Sequence, residues 1–277
     1  MNIRFVVDST MDVPAEIAEQ FNMIVLPAFV NYGGNSYADN GVELDRESFY
    51  GVLGSLEQVP TTSAPSPGIA QDTTMEALEG ADHVIMCSLS AKLSGINNVM
   101  NLVAQDVSPE RITVYDTNSL SLGGGFQAIA GAEAAAAGGS VNDVLNTMQD
   151  VYRRQTVYCG LMNIDFVRKG GRLSWAAGAI GSLLKIRPVV IVEDGYINSV
   201  ASVRKRGAWI DKLEQLARKH APVERMAFIH TENMADLTEL RDRLADIVPE
   251  HAITTYATPS IGVHTGPQAI AFALVSR

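Results

Sequence analysis

Short apolar runs alternate with helical segments through the first half of this chain, and that alternation limits the fold more than any other feature. Residues 3–7, 24–30, 84–89 and 112–115 are apolar and strand-like. Helical spacing occupies 44–55 and about 93–106, and a Gly- and Ala-rich helix runs to about 137. Strands separated by helices imply parallel crossovers, hence a mostly parallel sheet covered on both faces. The second half reads differently. Strands are expected at 157–162, 186–192, 226–230, 253–257 and 269–275, with a hairpin turning at Asp194-Gly195 into 195–203 and helices near 209–219 and 234–247. Gly- and Ala-rich helical material lies between 162 and 186. This half is α+β with a mixed sheet. A length of 277 residues suits about two domains, placed at 1–155 and 156–277.

Composition narrows the functional classes. Hydrophobic residues at 47% supply a core, and no apolar run reaches the ~18 residues that span a bilayer. MNIRFVVDST reads as a strand, not a signal peptide. Cys87 and Cys159 form no CxxC pair, so a disulfide scaffold and a cysteine zinc site are not indicated, and a reducing cytoplasm fits. A net charge of −10 and 6% aromatic residues argue against nucleic-acid binding. The charge is uneven, however. Residues 1–152 carry 4 basic and 19 acidic residues (−15), residues 153–206 carry 10 and 3 (+7), and residues 207–277 carry 7 and 9 (−2). The basic island is either a solvated face or a docking place for an anionic ligand or acidic partner.

Four strand ends run into loops rich in small hydroxyl residues: Asp8-Ser9-Thr10, Thr61 through Gly68, Ser88 through Gly95, and Asp116-Thr117-Asn118-Ser119. Ligands of open α/β sheets bind beyond the carboxyl ends of the strands. Hydroxyls there either donate to an anion or cap their own helices. In Lys169-Gly170-Gly171-Arg172, the glycines permit a tight turn and close approach of a ligand or neighbour, or form a helix C-cap. His264 follows a short β-like run and either bonds an anion or is a satisfied core histidine. Gly123 through Ala128 fits GxGxxA but stands several residues beyond its strand, so it reads as a glycine-tolerant helix start packed on the sheet. There is no GxSxG elbow, no P-loop and no paired-histidine metal spacing.

Taken in order, DST with DVP after it, TSAPSPG from Thr62, LSG from Leu93, YDTNSLSLGGG from Tyr115, FVRKGGRLS from Phe166, GSLLKIRPVV from Gly181, the DG of Asp194-Gly195 and GVHTGP from Gly262 resemble the DegV family of bacterial fatty-acid-binding proteins. The resemblance implies a two-domain α/β protein that holds a long-chain fatty acid as ligand, with no cofactor and no metal. It carries no catalytic residue of its own, and a separate ATP-binding fatty acid kinase subunit phosphorylates the carboxylate to an acyl phosphate for phospholipid metabolism. The resemblance maps the carboxylate-holding residues to Thr62, Ser94 and His264, and puts Arg172 close to the head group and to the kinase-facing surface. On the same reading Arg168, Lys169, Arg204, Lys205 and Arg206 meet the partner, and transient membrane contact is left open. Two other classes stay in view: an autonomous acyl-transferring or hydrolytic enzyme using Ser94 with His264, and a lipid-sensing regulator. Ala64 departs from the family's usual glutamine. Gln268 stands where glycine is frequent after HTGP, at a position where a positive φ would suit glutamine poorly.

Overall fold

The computed structural model describes residues 1–162, 164–171 and 186–277. Strands β1 (Ile3–Asp8), β2 (Ile24–Leu26), β6 (His83–Ser88) and β7 (Ile112–Asp116) form an all-parallel sheet in the order β2-β1-β6-β7. Burial on both faces explains why β1 and β6 read as unbroken apolar runs. Helices α3 (Pro67–Leu78) and α4 (Ile96–Val107) pack on one face, and α5 (Leu122–Ala136) packs on the other, backed by α6 (Val141–Arg154). This N-terminal domain is a three-layer α/β/α arrangement. The chain leaves α6 at Arg154 and enters β8 (Gln155–Gly160) without a linker.

The C-terminal domain is built on a mixed six-stranded sheet. It contains β8, β9 (Arg187–Glu193), β10 (Tyr196–Val203), β11 (Val223–His230), β12 (Ile253–Tyr256) and β13 (Ile270–Ser276), in the order β10-β9-β8-β13-β11-β12. Only the β11–β12 pairing is parallel. Asp194 and Gly195 turn β9 into β10 with φ of 49° and 76°, the positive pair that a two-residue hairpin of matching twist needs. Helices α8 (Arg206–Arg218) and α9 (Met234–Arg243) cover the outer face, where Trp209, Leu213, Phe228 and Phe272 make a core of their own.

The inner face meets α5. Residues 122–132 of that helix are all buried, and one hydrophobic cluster runs from Phe5 and Ile85 through Phe126 to Val157, Val192 and Ala273. A helix apolar on every side is one with no solvent face, and α5 is shared by both sheets. Its glycines allow the pinch: a Cβ on Gly123 would overlap Val157 and Ser119, and one on Gly131 would press on Met148. The GxGxxA segment is thus the opening of a closely packed helix, as its distance from the preceding strand suggested.

Several expectations need revision. The apolar run 24–30 is two strands in two sheets. Pro27 cannot donate to a ladder, and beyond it β3 (Phe29–Tyr32) joins β4 (Asn35–Ala38) and β5 (Thr61–Ser63) in a small antiparallel sheet that the sequence did not announce. The run before His264 is not β-like. It is helix α10 (Pro259–Thr265), started by Pro259 in the first turn and seated against α2 (Arg46–Leu53), β3 and β5. Of the helical material expected between 162 and 186, α7 (Asp165–Gly170) is described, and residues 172–185, including Arg172, lie outside the described residues.

Gly262 is what seats α10. A Cβ there would overlap the buried Tyr50 ring, whose hydroxyl donates to the carbonyl oxygens of Ala257 (2.9 Å) and Thr258 (3.1 Å). Gly262→Ala should lower the unfolding free energy by about 1–3 kcal/mol, the usual cost of overpacking. Gly207→Ala, near the start of α8 with nothing within 4 Å of the added methyl, should be neutral or raise stability by up to about 1 kcal/mol. Denaturant unfolding of the two variants checks the contrast.

Candidate functional site

The inner face of the six-stranded sheet does not meet the N-terminal domain everywhere. Between them lies a cavity of about 190 Å³ whose lining is mostly apolar. Its floor is a row fixed by strand register: Val190 pairs with Cys159, Cys159 with Ala271, and Ala271 with Ile229. All four line the cavity. The small side chains at the centre of the row leave the space. Burial pushes the Cys159 thiol up to about 12, so it stays protonated and serves as apolar lining.

Three polar groups of the lining come from separate segments. Thr62 sits on β5 opposite Val30. His264 sits on α10, turned by its buried neighbour Val263, which packs among Val30, Phe49 and Tyr50. The Thr62 hydroxyl and His264 Nε2 lie 2.9 Å apart. Ser94 lies in the loop before α4, and its oxygen accepts from the Ile96 backbone N–H at 3.3 Å. Thr62, Ser94 and His264 all line the one cavity. With the imidazole as donor in the Thr62 pair, the Thr62 hydroxyl hydrogen is left for an anion, and short polar groups on the wall of a mostly apolar chamber suit a carboxylate on a long hydrocarbon.

The carboxyl end of α7 closes on this point. Gly170 lies against the His264 ring so closely that a Cβ would overlap Nδ1, and Gly171 ends the helix at φ 69°. The glycines of the KGGR segment therefore provide both a helix C-cap and close approach to a neighbour. Arg168 and Lys169 are exposed on the same helix. Arg204 and Lys205 are exposed before α8. Arg206 is committed within the chain, with its guanidinium donating to Asp236 (Nε, 2.6 Å) and to Glu239 (2.5 Å).

Three buried carboxylates hold these segments; Asp8 and Asp12 fall in the DST and DVP motifs, but nothing in the sequence marked their anchoring role, and Asp39 falls in no motif. Asp8 accepts from the Leu89 N–H (2.6 Å) and the Thr10 N–H (2.8 Å), and from the Thr10 hydroxyl. Asp12 accepts from the Ser121 hydroxyl (2.5 Å) and the Thr258 N–H (2.7 Å). Asp39 accepts from the Ser260 N–H (2.8 Å). Asp12 and Asp39 thus cap α10 from 246 and 221 residues away. No local signal marks such partners. Hydroxyls in the four sequence-marked loops are largely spent in this way or on backbone, with Ser9 accepting from Ala28 N–H and Thr117 donating to the Ser88 carbonyl. His230 also borders the cavity, 2% exposed and 4.1 Å from the Tyr256 ring centroid, and burial holds its pKa below the ordinary value. Ala64 lines the cavity. Gln268 does take a positive φ, 65°, with its side chain donating to the Glu232 carbonyl. Among the described residues no cluster of His, Cys, Asp or Glu could hold a metal, and no helix is long and apolar enough to cross a membrane.

Burial raises the carboxyls of Asp8 and Asp12 to about 6, against the pull of their hydrogen-bond donors and, for Asp12, of Arg46. Between about pH 4 and 6 the folded chain binds protons at these sites that the unfolded chain does not. Their ionisation therefore lowers stability as pH rises through that window. Asparagine tolerates the φ of 53° at position 12, so Asp12→Asn removes the titration and keeps the backbone. Relative to that variant, the wild-type chain should gain about 2 kcal/mol between pH 7 and pH 4.5. Urea unfolding at the two pH values measures the difference, and a difference that does not change with pH refutes the assignment.

Comparison with known proteins gives a consistent result. Residues 2–277 match the model of the family described as uncharacterised protein, DegV family. The chain is 31% identical to a DegV domain-containing protein of Deinococcus radiodurans, over 99% of this chain and 98% of that one. Among solved structures it is similar to a fatty-acid-binding DegV family protein from Thermus thermophilus (TM-score 0.92, 29% identity, 100% of both chains). It is also similar to DegV, a fatty acid binding protein from Bacillus subtilis (TM-score 0.87, 29% identity, 100% of both chains).

Proposed function

The chain belongs to the DegV family, and from that premise we propose that it binds one long-chain fatty acid in the cavity between its domains, with the carboxylate at Thr62, Ser94 and His264. The observation that carries this is the Thr62–His264 pair on the wall of a mostly apolar chamber that Ser94 also lines. Burying ~14 methylenes at ~0.8 kcal/mol each gives an upper bound near ~11 kcal/mol, enough for sub-micromolar affinity after ordering costs. A membrane offers the acyl chain similar contacts, so selection for a free acid rests on the carboxylate site.

The same reading extends to a carrier role. The Ser94 hydroxyl and the Thr62 hydroxyl, which the His264 imidazole orients, would hold a carboxylate while leaving an oxygen free to attack a phosphoryl group. A buried bidentate arginine pair would engage both oxygens. The carrier would present the acid to a separate ATP-dependent kinase subunit in the cytoplasm. Arg168 and Lys169 are exposed on the helix whose end abuts His264, and in this reading they would meet an acidic face of that subunit.

Solvent extraction of the purified protein followed by mass spectrometry should yield a long-chain fatty acid, and the emptied protein should take one up in a titration. No acid in the extract and no uptake overturns the reading. Ser94→Ala should weaken binding by about 1.5–3 kcal/mol, the value of a hydrogen bond to a charged group. Addition of the cognate kinase subunit and ATP should then produce an acyl phosphate that hydroxylamine traps. Turnover of acyl donors by this chain alone would point instead to an autonomous enzyme.

A further inference from the structure

Three sequence-marked elements that the carboxylate site does not use meet at one place: the Asp194-Gly195 turn, the Ser90–Lys92 stretch and Asn118. The buried Ser90 hydroxyl donates to the Gly195 carbonyl at 2.9 Å. Lys92 Nζ donates to the Asp194 carbonyl at 2.5 Å and stands 4.4 Å from the Tyr196 ring centroid. The Tyr152 hydroxyl reaches Asp194 Oδ1 at 3.4 Å. The fit at Gly195 leaves no room, since a Cβ there would overlap Ser90 Oγ and lie 3.1 Å from Asn118 Oδ1.

Both partners of this contact border the cavity. Leu89, Leu93 and Ser94 come from the N-terminal loop that carries Ser90 and Lys92, while Val192 and Ile197 come from the two arms of the hairpin. Asp8 anchors the loop at Leu89 on its other side, and the hairpin tip is its tie to the C-terminal sheet. β10 is an edge strand, and its pairing with β9 shifts register between Ser199 and Ala201. A terminal hairpin interrupted in this way swings more readily than the central strands.

We propose that the Asp194-Gly195 turn is a latch that holds the Ser94 loop against the C-terminal sheet, so that a fatty acid passes in and out when the latch lets go. The inference rests on the fatty-acid reading above. A latch is a gate: weakening it speeds passage in both directions and leaves the equilibrium nearly unchanged, because the closed, ligand-holding contacts are untouched. Loosening of the fold in general speeds release alone.

The test uses stopped-flow fluorescence of a long-chain polyene fatty acid with the full chain. Lys92 is exposed, so Lys92→Met removes the ammonium without disturbing the core, and Lys92→Arg supplies the conservative control. Gly195→Ala attacks the latch from the hairpin side. In Lys92→Met and Gly195→Ala both association and dissociation should rise about tenfold, with affinity within about twofold of wild type, and Lys92→Arg should restore wild-type rates. Association rates unchanged in both variants overturn the latch while the fatty-acid reading stands. Absence of binding by the wild-type chain overturns the fatty-acid reading and the latch with it.

Discussion

The Thr62–His264 pair on the cavity wall depends on how two N-terminal carboxylates grip the start of α10. Asp12 and Asp39 accept the backbone N–H groups of Thr258 and Ser260, groups that an isolated helix leaves without partners. Thr258 itself makes no side-chain cap. The helix is seven residues long, too short to hold its conformation alone, so its direction is set by the other domain. His264 sits one turn further along and reaches Thr62 only because that direction is fixed. Both carboxyls are pushed up by burial, which shows that solvation would favour leaving them in water. Their contribution is position more than stability.

The parallel sheet was legible because strands buried on both faces are apolar throughout, and β1 and β6 fall where such runs occur. The hairpin at Asp194-Gly195 was legible because few dipeptides accept two successive positive φ values. β4 and β5 were not, since segments of four and three residues that expose Asn35, Ser36 and Thr61 lack an alternating pattern. α10 was misread for a physical reason: Ile261 and Val263 favour extended chain locally, and packing against Tyr50 and Val30 overrides them.

The candidate site divides in the same way. Thr62, Ser94 and His264 were named from ordered motifs, and the structure sets all three on one cavity. The floor row Val190, Cys159, Ala271 and Ile229 needs a register that joins distant strands, so no window of sequence contains it. The basic island likewise reads as a unit in sequence and divides in space. Arg206 is neutralised by Asp236 and Glu239, whereas Arg168 and Lys169 belong to the helix that abuts His264.

The helix shared by both sheets bears on how such a chain is made. A ribosome that has released the first 154 residues has delivered a complete parallel sheet, yet α5 then has one apolar side with nothing to cover it. The cover is the β8–β13 pair, whose register joins Gln155 to Val275, so it cannot close until residue 275 has been made. Through that interval the nascent first half carries an exposed greasy flank. Cooperative completion, rather than sequential docking of two finished globules, is the route that this architecture imposes.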